Sequence, residues 1–337
     1  MLEAQVIVAD IGGTKIALGH LSLVNPKVEI QKPNFRREQP SGNLEPDGSG
    51  GVEKSEFAAL PGGPSRALQT VPTELLRVND PVLALEKILL EYAQTHHLSP
   101  TAVVLGVPVS LAKDLDTVLS SPNIPQLEGL QLGSMLDARL KVPVRLERDI
   151  NLLLLGEIYG QNVSSALGIF FGTGIGASLI LENRVYRGAS VGLEIGHIPI
   201  RGEGKICVCG NVDCLEAYAC GHTLKALSKQ FSIPVADIFI KHGNLELERL
   251  LFEFVRDQAF AVATAINLFD PELCIIGGGI PEMNNFPQEA FRQTIFEHLR
   301  RPMPRESIRL EWAKLGSRAV LPGALAVLKE ARDLAQP

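Results

Sequence analysis

Apolar residues recur along this chain in short bursts separated by glycine-rich bends. Val6-Ile7-Val8-Ala9 is apolar, residues 10–15 read Asp-Ile-Gly-Gly-Thr-Lys, and Ile16-Ala17-Leu18-Gly19 resumes the apolar run. That pattern predicts a β-hairpin with its glycines at the bend. Residues 83–92 carry the period of an amphipathic helix, and residues 103–108 read as a buried strand. Residues 142–147 form another strand, which Pro143 places at an edge or at a strand start, and residues 150–159 follow as a helix. A second strand, glycine turn and strand begins near Leu167, with Gly172-Thr173-Gly174-Ile175-Gly176 at the bend. The last third reads as mainly helical, interrupted by a strand at residues 273–276 and the turn Gly277-Gly278-Gly279.

Two similar strand–turn–strand units in one chain predict an α/β protein of two related lobes with a cleft between them, the usual place for a ligand. The expected lobes are residues 1–147 and 148–337, with the C-terminal helix packing back on the N-terminal lobe. Residues 25–73 break the pattern. They are rich in Gly, Pro, Ser and Glu, bury little apolar surface, and predict a long, partly flexible surface insertion.

Composition narrows the class. The 337 residues are 45% hydrophobic and 21% charged, which supports an ordinary globular core. A net charge of −6 argues against a nucleic-acid partner. With no long apolar run, no membrane span or membrane partner is expected. The N-terminus lacks a basic stretch ahead of an apolar segment, so a reducing cytoplasm is the expected location. Three of the five cysteines fall within eight residues, which there points to metal rather than disulfides.

Four groups of residues carry candidate chemistry. In the first turn, Gly12, Gly13 and Thr14 are expected to let phosphates approach the backbone, the glycines by adopting positive φ, with N–H groups forming an anion cradle. Asp10 would hold Mg²⁺ and Lys15 would add charge. Taken alone, an ordinary hairpin turn explains the segment equally well. Gly172, Thr173, Gly174 and Gly176 form a second candidate phosphate turn, and the pair is more telling than either. Neither turn is a Walker A sequence, and no dinucleotide fingerprint follows the first strand.

His197, Cys207, Cys209 and Cys214 match a closed, structural Zn²⁺ site of one imidazole and three thiolates. Cys220 and Cys274 read as buried apolar residues. Asp149, between a strand and a helix, is placed to accept a proton from a substrate hydroxyl. Its alternative, favoured when the residue is taken alone, is a helix N-cap. Glu194 and Glu216 flank the metal motif and suit hydrogen bonds to sugar hydroxyls, with plain surface charge as the alternative.

Together these residues resemble the ROK (repressor–ORF–kinase) family of sugar kinases and regulators. The resemblance rests on the 10–15 and 172–176 turns, Glu194-Ile-Gly-His197, the segment from Cys207 to Glu216, and Ile276-Gly-Gly-Gly279. It implies two ribonuclease-H-like lobes of the actin/hexokinase-like superfamily, with ATP between them and a homodimer as the assembly. Asp149 would be the base for the 6-hydroxyl of a hexose. Glu194, His197 and Glu216 would contact the sugar, with the His197 ring also on zinc. Gly278 and Gly279 would lie by the adenosine.

Two departures bear on the substrate. Arg148 stands where most relatives have asparagine, a residue that meets sugar hydroxyls in hexokinase-like sites. The Arg-Asp-x-Asn form, like Ser121-Pro-Asn-Ile-Pro125, resembles allose kinases and implies D-allose, with glucokinase, fructokinase and N-acetylhexosamine kinase as alternatives. Val109, where many relatives have glycine, would reshape the sugar pocket wall. The family's sugar-responsive repressors carry an N-terminal helix-turn-helix. The first turn, already at residue 10, leaves no room for one, so a kinase is expected.

Overall fold

A computed structural model describes residues 3–24, 68–189 and 191–333. The chain divides into two compact units, residues 1–161 with 317–337, and residues 162–316.

The first unit is built on a five-stranded sheet. The strands are β1 (Glu3–Ile11), β2 (Lys15–Val24), β3 (Gln69–Pro72), β4 (Ala102–Val107) and, after a small β5 (Ser110–Leu111) and β6 (Val118–Ser120) hairpin, β7 (Val144–Arg148). Their order is β3-β2-β1-β4-β7, with β1, β2 and β3 antiparallel and β1, β4 and β7 parallel. The helices are α1 (Pro81–Thr95), α2 (Leu132–Leu140) and α3 (Asp149–Glu157), joined from the far end of the chain by α8 (Val320–Asp333). Asp80 caps α1 by accepting the Leu83 N–H at 2.8 Å, with Pro81 supplying the fixed φ of a first turn.

Alternation along β1 sorts its side chains to the two faces. Ile7, Ala9 and Ile11 enter a core with α1 and α2, while Val6 and Val8 pack with Leu152 of α3 and Val320, Leu321 and Ala324 of α8. A sheet buried on both faces needs apolar residues at every position, which is why β1 and β4 read as continuous runs.

The second unit repeats the plan. Its strands are β8 (Ala166–Phe171), β9 (Ile175–Leu181), β10 (Arg184–Val185), β11 (Leu273–Gly277) and β12 (Arg309–Trp312), in the order β10-β9-β8-β11-β12 with the same directions. Its helices are α4 (Leu215–Ala219), α5 (Gly221–Phe231), α6 (Leu245–Phe269) and α7 (Gln288–His298). Leu167, Ile169, Phe171, Cys274 and Ile276 pack with Phe254 and Val262 of α6 and Phe291 and Ile295 of α7. Among the described residues no helix is long and apolar enough to cross a membrane.

Two expectations are corrected. The division falls after residue 161, not after 147, because α3 packs against α8 within the first unit. Gly156 and Gly323 let those helices touch, since a Cβ on either would run into the carbonyl of Ala319 or Leu152. The segment read as an insertion over 25–73 lies outside the described residues only for 25–67. Residues 69–72 form β3, paired with residues 15–18 of β2. Four residues at an edge give too short a pattern to read. Val109 is buried in the core of the first unit.

Gly156→Ala is expected to lower the thermal midpoint by about 5 °C or more, by overpacking the α3–α8 contact. Differential scanning calorimetry reads this directly.

Candidate functional site

The carboxyl ends of the parallel strands β1, β4 and β7 lie side by side, where open α/β sheets bind ligands. Asp10 pairs across the ladder with Gly106 of β4, and Gly106 with Glu147 of β7. A Cβ on Gly106 would stand 3.0 Å from Asp10 Oδ1 and 3.4 Å from Asp149 Cα. The missing side chain is what lets these two acidic residues close over the end of β4.

Asp10 Oδ1 is shut off from solvent and has no hydrogen-bond partner among the described residues. Burial, and then the Asp149 carboxylate, raise the Asp10 carboxyl from its usual 3.8 to about 7, while Lys15 pulls the other way. A buried, unpaired acid beside a second acid is a high-energy arrangement that a cation would relieve.

Asp149 is the first residue of α3, not its cap; Arg148 holds the cap position. The junction is fixed by Glu147, a buried carboxylate whose Oε1 accepts the Arg148 N–H at 2.9 Å and the Asn151 Nδ2 at 2.7 Å. Nothing in the sequence pattern singled out Glu147, because a buried acid looks like any strand-end charge.

The first glycine turn is braced from outside. Thr73, fully buried, donates its hydroxyl to Gly12 O at 2.7 Å and its N–H to Thr14 O at 3.2 Å. Arg77 donates to Gly13 O at 3.3 Å and to Asn123 O at 3.2 Å. The Gly12 N–H closes its own turn on Lys15 O at 2.9 Å, and Gly172 does the same on Gly174 O at 2.9 Å. Gly12 and Gly13 do not adopt positive φ, contrary to expectation, and neither do Gly172 and Gly174. At Gly174 the reason for glycine is space, since a Cβ would stand 2.6 Å from Glu216 Oε2. Gly176 lies in β9 opposite Phe170, and Thr173 packs against the start of α5 at Gly221. Gly278, at φ +94°, sits on the Phe171 carbonyl and has no room for a side chain, whereas Gly279 faces open space.

The second unit gathers His197, Cys207, Cys209 and Cys214, whose potential ligand atoms all lie within 4.8 Å of one another. Cys207 Sγ is 3.7 Å from His197 Nδ1, and Cys209 Sγ is 3.7 Å from Cys214 Sγ. The other ring nitrogen, Nε2, faces Glu194 Oε2 at 4.0 Å, the carboxylate–histidine arrangement that orients metal-binding imidazoles. Burial and the neighbouring thiols push the Cys214 thiol up to about 12, while the Asn211 backbone and the other thiols draw Cys209 down.

Asp213, also missed in the sequence, organises this loop. Its carboxylate accepts N–H bonds from Glu203, Gly204 and Lys205 at 3.1–3.2 Å and the Tyr218 hydroxyl. These bonds hold the Asp213 acid below its usual range. Arg201 lies over the Tyr218 ring at 4.7 Å and pairs with Asp257 of α6 at 2.6 Å, tying the loop to the core. An acid just before a cysteine in a turn was the available signal.

The architecture has solved counterparts. A ROK hexokinase from Thermus thermophilus matches with a TM-score of 0.69 and 26% identity, over 98% of this chain and 99% of its own. A ROK family glucokinase from Streptomyces griseus, in complex with glucose and AMPPNP, gives 0.70 at 24% identity over 97% and 100%. The fold is therefore the actin/hexokinase-like two-lobe α/β fold. The sequence profile of the ROK family matches residues 70–331, and the chain belongs to that family. Among curated relatives, a xylose repressor from Caldicellulosiruptor bescii is 28% identical over 253 residues, 66% of this chain and 61% of its own. A glucokinase from Thermotoga maritima is 28% identical over 220 residues, 58% and 69%. The chain thus spans about three-fifths of the length of the curated repressors it matches.

Proposed function

We propose that this chain is an ATP-dependent hexose kinase that phosphorylates the 6-hydroxyl, with D-allose as its substrate. The observation that carries the reading is the Asp10–Asp149 pair at the strand ends beside a lysine-bearing glycine turn. Sugar kinases among its ROK relatives support it.

The 6-oxygen attacks the γ-phosphorus, the bond from that phosphorus to the β,γ-bridging oxygen breaks, ADP leaves, and the hydroxyl proton passes to Asp149. Gly12, Gly13, Thr14, Lys15, Gly172, Thr173, Gly174 and Gly176 are assigned to the phosphates, and Gly278 and Gly279 to the adenosine side. Of these last two, Gly279 has the open approach. Asp10, with its unpartnered buried oxygen, fits a Mg²⁺ ligand, and the ion would supply positive charge to the phosphates. Arg148, Glu194, His197 and Glu216 are assigned to the sugar.

The four-donor cluster fits Zn²⁺. Two of its donor pairs stand 3.7 Å apart and all four donors lie within 4.8 Å of one another; a tetrahedron with an edge of about 3.7 Å has its centre about 2.3 Å from each corner, the length of a Zn–S bond. With four protein donors no coordination position is left for substrate, so the ion would be structural. Homodimer assembly is carried over from the family resemblance, and a cytoplasmic setting from the N-terminal pattern.

A sugar-responsive regulator is the second reading, favoured by the xylose repressors among the relatives. A panel of hexoses with ATP and Mg²⁺, followed by ADP release, separates the two. The kinase reading expects turnover with a higher kcat/KM for D-allose than for glucose. Comparable or better kcat/KM with glucose would overturn the allose assignment. Sugar binding without ADP release from any hexose would overturn the kinase.

A further inference from the structure

The Glu216 carboxylate lies where the second glycine turn meets the metal-bearing segment. Glu216 is in the first turn of α4, two residues after Cys214, which caps that helix. Its Oε2 accepts the N–H of Ile175, the first residue of β9, at 2.8 Å. Two glycines leave room for it. A Cβ on Gly174 would stand 2.6 Å from Oε2, and a Cβ on Gly196 would stand 3.4 Å from the same atom. Gly196 directly precedes His197.

One side chain thus touches the turn assigned to the phosphates, while its two supports, the start of α4 and the backbone at Gly196, each adjoin a member of the metal cluster. An N–H bond to an ionised carboxylate is stronger than one between neutral groups, so it can set the position of a short turn. The cluster itself brings residues 197 and 214 together, and with them both walls of the space that holds the carboxylate.

We propose that Glu216 is the positioning residue of the 172–176 turn, and that through it metal occupancy of the His197–Cys207–Cys209–Cys214 cluster sets the affinity for nucleotide. This rests on the reading of that turn as nucleotide-binding. Loss of the ion frees Cys214 and His197, the carboxylate loses its fixed walls, and Ile175 loses a fixed acceptor. The nucleotide then has to order the turn on binding, which weakens its apparent affinity.

The test is calorimetric titration of a non-hydrolysable ATP analogue with Mg²⁺ into zinc-loaded and chelator-stripped protein. Wild type, E216Q and E216A are compared, with zinc content measured for each. Stripping is expected to weaken binding to wild type about tenfold, within the usual range of coupling between sites. E216A weakens it by a similar factor in the loaded protein while retaining its zinc, and stripping E216A adds little, because both changes break the same link. E216Q keeps an oxygen that accepts from Ile175 and stays within about threefold of wild type.

Nucleotide binding to E216A as tight as to wild type, or additive losses from stripping and E216A, would overturn the inference alone. No binding to loaded wild type would overturn the nucleotide reading and this inference with it.

Discussion

Asp149→Asn is expected to lower kcat by about 10²–10⁴-fold, the usual contribution of a positioned general base, while leaving the hexose dissociation constant within a few-fold. The two side chains are nearly isosteric, the asparagine keeps an oxygen that can accept the Ile150 N–H as Asp149 Oδ1 does at 2.8 Å, and Glu147 holds the junction through the bonds from Arg148 N–H and Asn151 Nδ2. The amide still accepts a hydrogen bond from the sugar but cannot take its proton. A loss confined to kcat is the signature of an interaction made in the transition state. Steady-state kinetics with calorimetric sugar binding reads both quantities. Turnover within about threefold of wild type would remove Asp149 from the role of base.

Asp10→Asn is expected to change the pH dependence of stability and to abolish stabilisation by Mg²⁺. In the folded chain without the ion, the Asp10 carboxyl keeps its proton up to about pH 7, whereas the unfolded chain releases it near 3.8. Between those values the native state binds the extra proton. The stabilisation from this group is therefore complete below about pH 3.8, falls as pH rises, and is gone above about 7. Above about pH 7 the wild-type Asp10 carboxylate is ionised in a buried place beside Asp149, with Lys15 as its attractive neighbour.

Replacing Asp10 by asparagine should raise the thermal midpoint of the ion-free protein at pH 8 by about 3–6 °C, with little change at pH 5. Adding Mg²⁺ with nucleotide should raise the midpoint of wild type at pH 8 far more than that of the variant. Scanning calorimetry at the two pH values, with and without the ion, checks both effects. A lower ion-free midpoint for the variant at pH 8 would contradict the electrostatic account.

Much of this organisation was legible in the chain because its signals are local. The apolar runs of β1, β4, β8 and β11 and the glycine bends at 12–13 and 172–176 each lie within a few residues, and the His197/Cys207/Cys209/Cys214 spacing within eighteen. Where the reading failed, the cause was a long-range contact. β12, with its four residues, becomes a strand because β11 offers it an edge. The division after residue 161 depends on Gly156 meeting the carbonyl of Ala319, just ahead of α8 and over 160 positions later.

Positive φ was expected of the glycines of the first turn, and Gly12 and Gly13 do not adopt it; in the second turn Gly174 is small because Glu216 fills the space beside it. Glu147, Thr73 and Asp213 were passed over because their importance lies in whose N–H or carbonyl they meet. Asp149 taken alone read best as a helix cap, and only the placement of Arg148 in the cap position sets that aside.

The most direct test of the central claim is ³¹P NMR of the protein with ATP, Mg²⁺ and D-allose, with the product isolated and its carbon positions assigned. The account predicts one new phosphomonoester, with its phosphorus coupled to the C6 protons and one ADP formed for each product molecule. Phosphate found on another carbon, or ATP left intact with every hexose offered, would contradict it.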